Sequence, residues 1–457
     1  MRYWPTVLMA LVLTGLGLYV YFIEFPAKES QERAEITEKK VLSIEQQHIE
    51  TVRFKTERDE VQIDRTDKGW MLSSPIQTEA DQREVQALIR SLVTGSIHRV
   101  VEDTPTALGP FGLDHPVATV TVKSTTSEET FSIGDTGPLS STLYVLRASD
   151  HKLLLTDMAP KDFVNKTLMT FRRKDILHVA QGEVERLRLT YPTTEIVLYH
   201  VNEKPKGKWK IRYPIEAEAD ATEVRMILFR LEDLKALRII DPGPERDQLA
   251  RTLGAPKVKV TVHSTDGDQV VKLYQPDPAS GEAIAETAPD SPLYKVAPTA
   301  IRDLTKELFV LQDKRLLGVD SAEIAMLSVT TPAEHFTLIN QNGEWVLEDR
   351  PTEKVDQQVA ELFVSRVANV PAEQRVMKQS GPLAPYGLVA PSAQFVATGR
   401  DGKIAGKLSL GSQSGGLVYA TGQRLQGLYQ IRADLLQQIP PKKELVLPSQ
   451  NSSGSAP

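Results

Sequence analysis

The chain has 457 residues, 54 basic against 60 acidic side chains, no Cys, and 40% apolar residues. At roughly 150 residues per domain, this length predicts about three domains, each with enough apolar residues for its own core. A formal charge of −6 argues against a nucleic-acid binder, and the lack of Cys excludes disulfides, thiolate zinc sites, iron–sulfur clusters and a thiol nucleophile.

Pro5 to Ile23 is a run without an ionisable side chain, bracketed by Arg2 and Glu24. At about 1.5 Å per residue it reaches roughly 28 Å, close to the thickness of a bilayer core. Tyr3 and Trp4 at one end, and Tyr19, Tyr21, Phe22 and Phe25 at the other, have the placing of interfacial belts. A cleaved signal peptide has a shorter apolar region and small residues before the cut, whereas a cut after Ala27 would put Phe25 and Pro26 there. The pattern predicts a retained transmembrane anchor over 1–25, with the positive N-terminus cytoplasmic and the bulk of the chain outside. Residues 26–47 read as a charged stalk, with Glu29–Arg33 and Glu35–Lys39 at helix-supporting spacing. Residues 441–457 read as a disordered tail.

Between stalk and tail the sequence repeats three times. Trp70, Trp209 and Trp345 each follow a turn-like stretch and lead to a Pro: WMLSSP, WKIRYP and WVLEDRP. Then come Ala80-Asp81, Ala219-Asp220 and Val355-Asp356, each opening an amphipathic run. The apolar positions are Val85, Leu88, Ile89 and Leu92; Val224, Ile227, Leu228 and Leu231; and Val359, Leu362, Phe363 and Val367. Short strands opened by Arg99, Arg238 and Arg375 follow, then FGLDHP, LGAP and YGLVAP, then alternating segments with hairpin-like loops at 133–137 and 410–416. A late strand (KLLLT, LYKVA, LYQIR) runs into a final helix. These landmarks predict an α+β protein whose anchor is followed by three tandem homologous modules, 48–180, 181–320 and 321–440, of antiparallel strands with two helices each. The middle copy is set apart by its long stretch at 276–292.

A residue needed in every copy usually serves the fold. Asp81, Asp220 and Asp356 fit helix N-caps, and Glu84 and Glu223 complete a capping-box pattern that Val359 breaks. The tryptophans read as core anchors, and Gly112, Gly254 and Gly387 as holders of turn conformations. Arg99, Arg238 and Arg375 read first as structural, with three equivalent anion-binding points as the sharper alternative. No catalytic, cofactor-binding or metal-ligating set emerges. The eight His form no H-x-x-x-H or H-x-H pair, and GSQSGG at 411–416 has neither P-loop nor nucleophile-elbow spacing.

The order W-x-L-x-x-P, Ala-Asp, R-V-V, F-G-L-D-x-P and I-G resembles an uncharacterised bacterial family classed as a domain of unknown function. The resemblance is strongest at Trp70, Pro75, Asp81, Arg99, Phe111, Gly112, Leu113, Asp114 and Pro116 and spans roughly 48–440. It implies tandem units anchored outside the inner membrane, often encoded beside ABC-2-type, gliding-motility-like permeases, and no family activity. The expectation is a non-catalytic, single-pass inner-membrane protein with its bulk in the periplasm. It would act as an accessory or scaffold to ABC-type permease and ATPase subunits, held to the bilayer by residues 5–23, without cofactor or nucleic acid. The alternative is a periplasmic binding protein that passes a lipid, glycan or peptide to a transporter.

Overall fold

Alternation over residues 52–55 puts Val52 and Phe54 into a core and leaves Arg53 and Lys55 in solvent, a register shift before Thr51 brings Ile49 into the same core, and the pattern recurs along the chain. The computed structural model describes residues 39–201, 207–275, 280–377, 382–425 and 427–447. The anchor over 1–25, the stalk before Lys39 and the tail beyond 447 lie outside these residues. Among the described residues, no helix is long and apolar enough to cross a membrane. The described chain divides into two compact units. One runs to Ile176 and takes in Leu234–Arg251 and Pro289–Ala297; the other comprises Leu177–Asp233, Thr252–Ala288 and the chain from Pro298 onward.

Module 1 is built from β1 (Ile49–Lys55), β2 (Glu60–Thr66), β3 (Gly69–Ser74), β4 (Thr78–Glu79), α1 (Gln82–Thr94), β5 (Ile97–Glu102), β6 (Ala118–Ser124), β7 (Glu128–Thr136), β8 (Leu143–Arg147), β9 (Leu153–Thr156) and α2 (Leu168–Phe171). Its sheet runs β4-β3-β2-β1-β6-β7-β8-β9-β5, antiparallel throughout, and α1 covers one face with Val85, Leu88, Ile89 and Leu92. Burying each of these contributes about 1.5–3 kcal/mol. Val41 and Leu42, which the sequence reading leaves in the stalk, belong to this core, and Lys39 accepts from the Ile97 amide. The module therefore begins before residue 48, because two adjacent apolar side chains reach its interior.

Module 2 repeats the series as β10 (Val184–Thr190), β11 (Glu195–Val201), β12 (Lys208–Tyr213), β13 (Ala217–Glu218), α3 (Ala221–Glu232), β14 (Arg238–Ile240), α4 (Pro244–Thr252), β15 (Val258–Ser264), β16 (Gly267–Tyr274), β17 (Ala283–Glu286), β18 (Leu293–Val296), α5 (Thr299–Leu304) and α6 (Leu308–Leu311). Within the second unit the antiparallel pairs link β13-β12-β11-β10-β15-β16-β17, the order of module 1. β14 and β18 pair with each other in the first unit. Among the described residues of this module four α-helices replace the two expected, since α4 stands where the other copies have a 3-10 turn and the final helix divides into α5 and α6.

Module 3 comprises β19 (Ile324–Thr330), β20 (His335–Gln341), β21 (Glu344–Leu347), α7 (Gln357–Asn369), β22 (Gln374–Met377), β23 (Ala393–Gly399), β24 (Ile404–Ser414), β25 (Leu417–Gly422), β26 (Leu428–Arg432) and α8 (Asp434–Gln437). The sheet keeps the order of the first, β21-β20-β19-β23-β24-β25-β26-β22. The buried face of α7 is Ala360, Phe363, Val364 and Val367, while Leu362 is 52% exposed. Counting from the cap gives this frame: positions four, seven, eight and eleven after Asp356 match Val85, Leu88, Ile89 and Leu92 after Asp81. The stretch expected as tail contributes too, for Leu445 is fully buried and the Leu447 amide donates to Lys354.

All three Asp caps form, each carboxylate accepting two first-turn amides. Glu84 and Glu223 do not close the box. They meet Lys166 at 2.7 Å and Lys306 at 3.5 Å. Gly112 and Gly387 sit at φ +70° and +69°, but Gly254 does not have a positive φ, because α4 has replaced the turn. Gly134 and Gly411 lie within β7 and β24 and not in loops. A Cβ at Gly134 would stand 2.2 Å from the Phe111 carbonyl, and one at Gly411 2.0 Å from that of Tyr386. In module 2, which lacks the turn, the same register position is Tyr274.

Candidate functional site on the outer face of the second sheet

In each module one sheet face is packed in the core and the other looks outward, so residues at i and i+2 along a strand share the outward face. On module 1 these residues satisfy one another. Thr51 donates to Asp64 at 2.8 Å, Gln62 donates to Asp64 at 3.1 Å, and Arg53 donates to Gln62 at 3.2 Å. Burial raises the Asp64 carboxyl, but hydrogen bonds from Ser73, Thr51 and Gln62 and the charge of Arg53 outweigh it and hold it below the usual carboxylate range. On module 3 the matching pairs are Met326 with Ile339 and Ser328 with Thr337.

Module 2 places different chemistry on the same grid. Arg186 faces Tyr199 on one side and His263 on the other, and Arg188 faces Val197 and Thr261. The register slips between β11 and β12, with Val197 opposite Tyr213 and Leu198 opposite Ile211. Such a bulge sets two successive residues, here Arg212 and Tyr213, against one on the partner strand. β3 has the same slip, occupied by Ser73 and Ser74. The face surrounds an open cavity of about 670 Å³ lined by Arg186, Arg188, Arg212, Tyr199 and Tyr213 among others. At its margin Arg188 lies 3.7 Å from Glu195, and His263 lies 2.5 Å from Asp268 and 3.8 Å from Glu185. Among the described residues, the side chains of Arg186 and Arg212 have no hydrogen-bond or ion-pair partner.

The three arginines singled out from sequence have three different settings. Arg99 is exposed on β5. Arg238 pairs with Glu245 at 2.7 Å. Arg375 donates to Gln312 at 2.7 Å, with its guanidinium over the Phe309 and Tyr429 rings at 5.0 and 5.7 Å. They occupy corresponding strands, one in each module.

Charge also gathers where a module's final helix leads onward. In the first unit Arg172 makes a bidentate pair with Asp241 at 2.7 and 2.8 Å, Arg173 pairs with Glu79, and Lys235 lies 3.0 Å from Asp175. In the second, Asp313 lies between Arg315 at 2.6 Å and Arg424 at 3.1 Å, Arg315 reaches Asp320 at 2.7 Å, and Arg424 pairs with Glu218. Burial raises the Asp313 carboxyl, and the Arg315 hydrogen bonds with the Arg424 charge more than reverse this. Main-chain bonds accompany both clusters, Arg173 amide to Glu79 carbonyl and Asp313 amide to Glu218 carbonyl. These groups fix chain segments to one another.

Sequence reading missed the outward residues Arg186, Arg188, Tyr199, Arg212 and Tyr213. Their signal was available: aligning ERLRLT at 185–190 on ETVRFK at 50–55 shows two arginines where module 1 has Thr51 and Arg53. Tandem α+β modules with alike cores and unlike outward faces define a class of repeat protein. The chain belongs to the family described as Domain of unknown function (DUF4340), which matches it over 70–256 and again over 209–391. The matches begin at Trp70 and Trp209 and overlap, so each takes in one repeat and the opening of the next. No curated protein and no solved structure matches the chain.

Proposed function

We propose that this chain is a non-catalytic accessory and scaffold protein of an ABC-type export complex, held to the inner membrane by residues 5–23 with its modules on the periplasmic side. The observation that carries the reading is the contrast between what repeats and what does not. Strand order and helix caps recur and both joints carry ion-pair clusters, while most outward side chains change from one module to the next. Several weak contacts along one anchored chain add through effective concentration, which suits a docking scaffold. The partner class comes from the family resemblance. The test is in-cell crosslinking and mild-detergent purification of the tagged full-length chain, against an anchor-swapped control. Recovery of permease and ATPase subunits in stoichiometric amount is the expected result, and recovery of the protein alone overturns it. A second reading, a binding protein that passes a ligand to a transporter, is favoured by one observation, the open cavity on the second sheet.

A further inference from the structure

We propose that the outer face of the module 2 sheet is a binding site for a short acidic saccharide of the uronate type, its carboxylates held by Arg186 and Arg212 and its rings laid on Tyr199 and Tyr213. This rests on the second reading above and gives the ligand its chemical class. Arg186 and Arg212 lie on strands two apart, with Arg212 two residues along from the position level with Arg186, so their backbones are separated by about 12 Å. Both are exposed, and neither side chain has a partner among the described residues. A guanidinium presents its donors as a planar fork that matches a carboxylate, so two such groups at this spacing suit carboxylates on neighbouring rings. Between them stand Val197 and Tyr199 on β11, and next to Arg212 on β12 is Tyr213, 50% exposed. They offer flat surface to the C–H face of a sugar. The cavity, at about 670 Å³, is within the range of small-ligand sites.

Two features choose this occupant over others. The site is on the face of a sheet, where main-chain donors are already engaged in strand pairing, so an extended peptide cannot be taken up by strand addition. Glu185 and Glu195 at the margin repel a dianionic phosphate more than a monoanionic carboxylate. The cavity is open to solvent and lined largely by charged and polar residues, unlike the closed apolar slot that an acyl chain needs.

The test is calorimetric titration of the full-length protein in detergent with oligogalacturonate. Neutral malto-oligosaccharide, poly-glutamate and phosphatidylglycerol vesicles serve as competing occupants. Saturable binding of oligogalacturonate and not of the neutral oligomer is expected, weakened about tenfold by each of Arg186→Ala and Arg212→Ala. Tyr213→Ala also weakens it, and Arg53→Ala on the module 1 face leaves it unchanged. No saturable binding overturns the proposal. So does binding that survives Arg186→Ala/Arg212→Ala, or equal binding of poly-glutamate or vesicles that Tyr213→Ala does not affect. Co-purification of permease subunits with the double variant is read separately, so failure of the saccharide site and failure of the scaffold reading are distinguishable.

Discussion

Modules 1 and 2 share a strand order but treat their outward faces in opposite ways. In module 1, Asp64 collects donors from Thr51 and Gln62, and Gln62 in turn accepts from Arg53, so the face is closed on itself. In module 2, Tyr199 takes the place of Asp64, Arg186 that of Thr51, and Arg212-Tyr213 that of Ser73-Ser74 in the bulge. The departure extends to the interior. Gln82 holds the Trp70 backbone with bonds of 2.9 and 2.8 Å, and Gln357 does the same for Trp345, but module 2 has Ala221. The turn around Gly112 gives way to α4, and Gly134 gives way to Tyr274. The lesson is that turn and strand change as a matched set, since loss of the turn frees the space that required glycine. The outer face varies on its own: module 3 keeps the glutamine at Trp345 with Met326, Ile339, Ser328 and Thr337 in place of the module 1 residues.

The largest separation between the modules is expected at the tryptophans. Trp70 is 6% exposed and held at both main-chain groups, so Trp70→Ala should cost about 3–5 kcal/mol. Trp209 is only half-buried, with the His200 ring at 5.3 Å, and the same change should cost about 1–2 kcal/mol. Hydrogen exchange at β3 and β12 in the full chain reads the two losses separately. Equal losses would remove the distinction.

Next in size is the glycine in β7. Gly134→Ala puts a methyl group against the Phe111 carbonyl and should cost about 1–3 kcal/mol, read as earlier urea unfolding of module 1. The Tyr274 position in module 2 tolerates a large side chain whose hydroxyl donates to Glu286 at 2.8 Å. A neutral outcome for Gly134→Ala would mean that the turn and the glycine are not a matched pair.

A smaller effect separates the outer faces by pH. The folded state lowers the Asp64 carboxyl, so this group adds stability above its unfolded value near 3.9, and that stability is lost as pH falls through the folded value. Module 2 has Tyr199 there and no such loss. Asp64→Asn should cost about 1 kcal/mol at neutral pH and flatten the acid limb of module 1 below about pH 4, followed by exchange at β2. An unchanged acid limb would assign it to other carboxylates.

Much of this frame was legible in the sequence, and the parts that were not have physical reasons. The caps at Asp81, Asp220 and Asp356 were readable because capping is local chemistry within three residues. The α+β class and the antiparallel strands followed from alternation and short turns. Leu362 misled because periodicity alone does not choose between adjacent stripes on an apolar helix, whereas distance from the cap does. Gly134 and Gly411 were placed in loops because glycine marks turns; their reason is a carbonyl contributed from more than 20 residues away, at Phe111 and Tyr386. Aligning the repeats shows an arginine at 186 where module 1 has Thr51, but its pairing with Arg212 on one face needed the strand register, since the two are far apart in sequence and acquire meaning only side by side.

The finest test of the comparison gives module 2 what it lacks. Ala221 follows the Asp220 cap as Gln82 follows Asp81, and with Trp209 and Asp313 it lines a cavity of about 390 Å³. Gln in the first turn of a helix costs only a few tenths of a kcal/mol relative to Ala. Two hydrogen bonds to the Trp209 main chain should return about 1 kcal/mol or more, so Ala221→Gln should stabilise module 2 slightly and slow exchange around Trp209. Gln357→Ala should take a similar amount from module 3, where Gln357 Nε2 also donates to Val355 at 3.1 Å. If Ala221→Gln instead leaves exchange unchanged while Gln357→Ala speeds it, the main chain near Trp209 differs in position and not just in its missing partner. The contrast between the modules would then lie in the path of β12, the strand that also carries Arg212 and Tyr213 to the outer face.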